Sequence, residues 1–88
     1  MNEERIHEFL NGYKMLEDLL EERYASRPRR YSSVIMEFMN SPEGDGWREK
    51  TDMCREIRNL MTHTADIAGE SVITPAQGVL DTLNEILA

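Results

Sequence analysis

The sequence predicts an all-α fold, a four-helix up-and-down bundle that forms one domain over residues 1–88. Apolar side chains recur at steps of three and four residues in separate segments, which is the spacing of one face of an α-helix. Proline and glycine punctuate the chain between these segments. The composition, 40% hydrophobic and 31% charged, is that of a folded domain rather than of a disordered chain.

The first helix is predicted from about Glu3 to Ala25. Its apolar stripe comprises Ile6, Phe9, Leu10, Tyr13, Leu16, Leu19, Leu20 and Tyr24. We expect it to end near Pro28, because proline disfavours helical geometry in the preceding residue. A short second helix opens at Ser32 or Ser33, since either hydroxyl can cap free backbone amides. The apolar residues of this second helix are Tyr31, Val34, Ile35, Phe38 and Met39.

The third and fourth helices follow a loop over residues 40–46. The predicted buried face of the third helix comprises Trp47, Met53, Cys54, Ile57, Leu60 and Met61. This helix is expected to end between His63 and Ile67, before an extended crossover over residues 68–73. Thr74 as N-cap, Pro75 and Gln77 match a capping box at the start of the last helix. The apolar stripe of the last helix is Val79, Leu80, Leu83, Ile86 and Leu87.

The charge distribution along the chain limits which partners it could bind. The net charge of −7 opposes broad nucleic-acid binding, which depends on Lys and Arg facing phosphates. Both ends are acidic, whereas residues 24–63 carry seven basic against six acidic side chains. An anion site would therefore lie in the middle, where Arg27, Arg29 and Arg30 stand beside Tyr31, although a hydrophilic loop between helices has the same composition.

The remaining composition predicts a cytoplasmic protein without a cofactor or a metal. A single cysteine, Cys54, excludes an intramolecular disulfide and a cysteine-cluster metal site, and we expect it to be a buried small hydrophobe. His7 is expected to face solvent.

The N-terminus does not have the pattern of a signal peptide, and no apolar run reaches the roughly 18 residues of a membrane span. A thin core with six methionines favours a homodimer.

The segment Arg58-Asn59-Leu60-Met61-Thr62-His63 closes the third helix with an arginine and a histidine separated by four residues. It resembles the signature of the HEPN superfamily of small helical bundles, and the long first helix and one further helix after the motif are similar as well. Many members are metal-independent ribonucleases and toxins, and others are non-catalytic binding modules. The segment from Arg58 to Pro75 is also similar to small bacterial proteins of this type. Thr64 follows the histidine where such relatives often have asparagine.

The candidate catalytic residues are Arg58, Asn59 and His63. His63 would act as general base or acid, Arg58 would stabilise the charge on a phosphate, and Asn59 would orient the histidine. Residues five apart on one helix differ by about 140° around its axis, so Arg58 and His63 do not converge on a continuous helix. Either the helix ends before His63, or two copies share a cleft across a dimer axis, as the resemblance implies.

Three functional hypotheses stay open at the level of sequence. The first is a non-catalytic interaction or regulatory module that binds a protein partner. The second is a metal-independent endoribonuclease that uses Arg58 and His63 across a dimer cleft. The third is a scaffold bundle unrelated to the family, in which Arg58 and His63 stand near a helix C-terminus because cations are favoured there.

Overall fold

The computed structural model describes residues 3–26, 30–31, 33–69 and 74–87. Within these ranges all regular structure is helical: α1 spans Glu3–Arg23, α2 Val34–Met39, α3 Arg48–Ala68 and α4 Gln77–Leu87. A single 3-10 turn, Asp45–Trp47, leads into α3. The predicted all-α class and its four helices are confirmed.

The buried face of α1 follows the predicted stripe except at Leu10, which is half-buried, and at Leu19. Ile6, Phe9, Tyr13, Leu16 and Leu20 are buried as expected. The Phe9 and Tyr13 rings pack against each other with their centroids 6.2 Å apart. Leu19, however, is 51% exposed, so its predicted place in the core is wrong. Leu19 lies about 100° around the helix from Leu20, beyond the edge of the face that the other helices cover.

The short helix α2 is held at both ends by side chains. The Met36 amide donates to Ser33 Oγ at 3.3 Å, which confirms a serine cap at the predicted position. After the helix, the Arg23 guanidinium forms a 2.6 Å ion pair with Glu43, and Tyr24 donates to Ser41 Oγ at 3.2 Å. The loop after α2 is therefore tied to the end of α1.

The helix α3 is longer and less buried than the sequence predicts. Thr51, Cys54 and Met61 form its buried face. Met53 and Leu60 are 37% and 50% exposed, so their predicted burial is wrong. They lie about 100° around the axis from Cys54 and Met61, respectively, on a side that no described helix covers. The helix continues to Ala68 and is capped by Gly69, whose amide donates to the Ala65 carbonyl at 2.8 Å. The φ of Gly69 is +83°, a left-handed conformation that glycine adopts without strain.

The helix α4 begins two residues later than predicted. The amides of Val79 and Leu80 both donate to the Ala76 carbonyl, so the helix starts at Gln77. Pro75 is fully buried instead of opening the helix, and its carbonyl accepts a 3.4 Å hydrogen bond from Arg5. The predicted burial of Leu80 and Leu83 is confirmed. Val72 and Ile73 of the predicted crossover lie outside the described residues.

Close packing of α4 against α1 and α3 organises the bundle. A Cβ at Gly12 would lie 2.9 Å from Leu83 Cδ2, so any side chain there would have to displace the end of the Leu83 side chain. Together with the Arg5 to Pro75 bond, this contact shows that α1 and α4 run in the same direction. Lys50 near the start of α3 forms a 3.1 Å ion pair with Glu85 near the end of α4, so these two helices run antiparallel. None of the described helices has the length and apolar character of a membrane span.

We expect Gly12→Leu to lower the free energy of unfolding by about 2 kcal/mol, because the new side chain must displace the fully buried Leu83. Gly78→Ala is the matched control, since nothing lies within 4 Å of a Cβ there. The free energy of unfolding of that variant should rise by about 0.5 kcal/mol, because alanine has a higher helix propensity than glycine. Urea denaturation measures both, and a Gly12→Leu variant as stable as the wild type would contradict the close approach of α1 and α4.

Candidate functional site

Arg58 packs against α1 rather than extending into solvent. Its guanidinium carbon lies 5.7 Å from the centroid of the Tyr13 ring, a cation–π contact across the two helices. Burial raises the pKa of Tyr13 to about 12; nearby Glu17 also raises it, while Arg58 and Arg55 oppose the shift. The sequence places Tyr13 only in an apolar stripe. Its contact with Arg58 depends on how two distant helices pack, and no local pattern indicates it.

Asn59 is next to Arg58 in space as well as in sequence. Arg58 Nη1 donates to Asn59 Oδ1 at 3.4 Å. Among the described residues, no hydrogen bond joins Asn59 to His63, although the two lie four residues apart on the same side of α3. The structure therefore brings together two of the three candidate catalytic residues, and the predicted orienting contact between Asn59 and His63 is not formed.

His63 lies on an uninterrupted stretch of α3. The helix continues for five residues beyond it, to Ala68, and the imidazole is exposed. Arg58 and His63 are therefore about 140° apart around the axis and about 7.5 Å apart along it. The helix does not end before His63, so within one chain this route to convergence with Arg58 is excluded.

The hydroxyl groups around His63 are directed to the backbone of α3. Thr62 Oγ1 donates to the Arg58 carbonyl at 3.0 Å, and Thr64 Oγ1 donates to the Met61 carbonyl at 3.1 Å. Such bonds to carbonyls three or four residues back are common for helical threonines. Neither hydroxyl orients the imidazole, so in the described part of the chain His63 has no group that would fix its tautomer for proton transfer.

The ionic environment of Arg58 contains a second arginine that is already paired. Arg55 Nη2 lies 2.8 Å from Asp52 Oδ1, one turn earlier on α3. Arg58 forms no ion pair with a carboxylate in the described ranges, and its contacts are the Tyr13 ring and Asn59. A partly buried guanidinium without a carboxylate partner could contact an external anion, but only with the edge that faces away from Tyr13.

The other chemically active side chains in the described ranges do not form a second site. Cys54 is fully buried, and burial raises the pKa of its thiol to about 11, which confirms that it packs as a small hydrophobe. His7 is exposed, as predicted. No group of three histidine, cysteine or carboxylate residues that could hold a metal ion occurs among the described residues.

The loop between α1 and α2 contains a pocket of about 400 Å³ lined by Tyr24, Arg30, Tyr31 and Glu37, among others. This is the described part of the predicted anion site, since Arg27 and Arg29 lie outside the described residues. Glu37 Oε1 accepts hydrogen bonds from the amides of Arg30 and Tyr31, the latter at 2.7 Å. A carboxylate of the chain itself therefore occupies the backbone donors that an external anion would need.

A second cleft, of about 510 Å³, lies at the end of the bundle where α1 and α4 finish. Its lining is mostly apolar and includes Leu19, Phe38, Trp47, Ile86 and Leu87. Arg23 and Glu43, which form an ion pair with each other, stand at its polar side. None of the residues that line it belongs to the Arg58 to His63 segment, so this cleft is not part of the candidate site.

Comparison of the chain with models of known protein families, with curated proteins and with solved structures gave no match.

We expect the free energy of unfolding to fall as the pH rises from about 9 to about 11, because the unfolded chain loses the Cys54 proton near pH 9 while the folded chain keeps it to about pH 11. The loss approaches about 2–3 kcal/mol across this window. Cys54→Ala serves as the comparison, since it should be less stable at neutral pH but lack this part of the slope. Equal slopes in the two proteins, measured by urea denaturation at each pH, would contradict burial of the thiol.

Proposed function

We propose that this chain is a small, non-catalytic interaction or regulatory module that works in the cytoplasm as a homodimer and binds a protein partner. The observation that carries the proposal is the continuity of α3 through the motif. It keeps Arg58 and His63 on different sides of one helix, so a single chain does not present them together to a substrate.

Arg58 has a structural role that accounts for its position. Its cation–π contact with Tyr13 joins α3 to α1, two helices that otherwise meet mainly through α2 and α4. Such contacts contribute about 0.5–1 kcal/mol where they are partly exposed. An arginine used in this way stabilises the bundle whether or not the protein has a ligand.

The alternative, a metal-independent endoribonuclease, needs further groups that the described site does not supply. General acid–base catalysis requires a histidine that is held within hydrogen-bond reach of the substrate proton. His63 is exposed and is not oriented by Asn59, Thr62 or Thr64. The net charge of −7 also opposes RNA binding. Catalysis would require the Arg58 of a second copy to reach His63 across a shared cleft.

The HEPN-like, up-and-down arrangement belongs to the same proposal. The three longer helices alternate in direction, because α3 runs antiparallel to α4 and α4 runs parallel to α1. The six-residue α2 lies in the connection between α1 and α3, so the alternation involves three long helices rather than four. The Arg58 to His63 segment on α3, followed by α4, supports the resemblance to the family.

We expect no chelator-resistant cleavage of a mixed RNA pool by the wild type, Arg58→Ala or His63→Ala, since the two residues do not converge. Arg48→Ala is the matched control, because Arg48 is an exposed cation on the same helix outside the motif. Cleavage that survives chelation and Arg48→Ala, but is lost in both motif variants, would establish the ribonuclease and overturn the proposal.

The same variants test the structural role of Arg58. Arg58→Ala should lower the free energy of unfolding by about 0.5–1 kcal/mol through loss of the Tyr13 contact. His63→Ala should stay within about 0.5 kcal/mol of the wild type, because its side chain is exposed. Thermal or urea denaturation measures the stability of both variants. An Arg58→Ala protein as stable as the wild type would show that the Tyr13 contact does not stabilise the bundle.

A further inference from the structure

The helix α3 carries a row of side chains beside its buried face, about 100° around the axis from Cys54 and Met61. The row consists of Met53, Ile57, Leu60, Thr64 and Ile67, which we call the α3 stripe. Its members are spaced alternately four and three residues apart, the spacing of a seam between two packed helices. Met53, Leu60 and Ile67 are 37%, 50% and 75% exposed, and Ile57 and Thr64 are half-buried.

The core of the bundle uses only part of this seam: Ile57 packs against the core while half-buried, and Met53, Leu60 and Ile67 stay exposed. The buried face of α3 is formed by Thr51, Cys54 and Met61, and the stripe lies beside that face on its outer side. Thr64 does not interrupt the apolar character of the stripe, because its hydroxyl already donates to the Met61 carbonyl at 3.1 Å. A covering surface would therefore leave no donor of Thr64 without a partner.

We propose that the α3 stripe packs against the α3 stripe of a second copy of this chain, with the two helices antiparallel. The proposal deepens the proposed function and rests on its homodimer, because it names the surface through which that dimer forms. A row of apolar side chains with seam spacing is self-complementary when two copies are related by a twofold axis at its centre, near Leu60.

The charges beside the stripe favour this partner and this orientation. Glu49, Glu56 and His63 follow the outer edge of the stripe at seven-residue intervals. An antiparallel pair centred on Leu60 sets Glu56 one residue, or about 1.5 Å along the axis, from the level of the partner's His63. The imidazole can donate an N–H to that carboxylate, and symmetry gives two such contacts. A parallel pair would instead place each Glu56 level with the partner's Glu56, without this complementarity.

The same geometry determines what the dimer does with Arg58. Arg58 and Leu60 are about 160° apart around α3, and Arg58 is held against Tyr13 of its own chain. A dimer through the stripe therefore leaves Arg58 on the far side of α3 from the partner's His63. In this interface His63 lies at the edge of the contact, where it pairs with Glu56 of the second copy. The interface does not form the shared catalytic cleft that an endoribonuclease would need.

The test is the solution mass of the full chain, measured by sedimentation equilibrium over a wide range of concentrations. We expect a concentration-dependent dimer for the wild type and a dissociation constant at least about tenfold higher for Leu60→Glu. Leu19→Glu is the matched control, because Leu19 on α1 is 51% exposed against 50% for Leu60 and lies outside the stripe. Circular dichroism should show the same helix content in all three proteins.

A charge exchange tests the orientation. Glu56→Arg and His63→Glu should each weaken the dimer, because the first removes the carboxylate that accepts from the imidazole and the second sets two carboxylates together. The double variant restores an oppositely charged pair and should recover most of the wild-type affinity. A wild type that stays monomeric, or a dimer that resists Leu60→Glu, overturns the interface. A dimer lost in Leu19→Glu but not in Leu60→Glu also overturns it while leaving a homodimeric, non-catalytic module intact. Failure of the double variant to recover overturns the antiparallel pairing.

Discussion

The helix α3 holds 21 residues in one rigid register from Arg48 to Ala68, and the position of each candidate site residue follows from that register. One side of the helix buries Cys54 and Met61 in the core, so the rotation of the helix about its axis is fixed. Arg58 must then face α1, and His63 must face outward. A residue on such a helix changes its direction only if the helix breaks, and Gly69, the left-handed cap, lies beyond both.

The small size of the chain explains why α3 has exposed apolar side chains in addition to its buried face. A chain of 88 residues buries a limited share of its surface, so its core is confined to one face of each helix. A second face of α3 carries the exposed apolar side chains of Met53, Leu60 and Ile67. A third face carries charged side chains and His63. A surface of this kind suits binding more than chemistry, because contact between helices needs a continuous face whereas catalysis needs groups that converge.

Local patterns in the sequence predict the helices well because the signals are themselves local. The α1 stripe and the cap before α2 depend on spacing and on a serine that can reach a nearby amide. Burial is harder to predict: Leu19, Met53 and Leu60 have helical spacing but stand beside the covered face, and only the packing of the other helices decides that. The helix α4 starts at Gln77, later than predicted, and Pro75 before it is fully buried with its carbonyl bonded to Arg5, a contact across 70 residues of chain that no local pattern indicates.

The candidate site could be predicted in identity but not in geometry. The segment from Arg58 to His63 is visible in the sequence, whereas the contact of Arg58 with Tyr13 depends on tertiary structure. The separation of Arg58 from His63 depends on the continuity of α3 through His63, and backbone NMR assignment of residues 58–68 with amide hydrogen exchange tests that continuity most directly. We expect helical carbon shifts through this range and protected amides up to Ala65. A loss of helical shifts at or before His63 would contradict the account, because the imidazole could then turn towards Arg58.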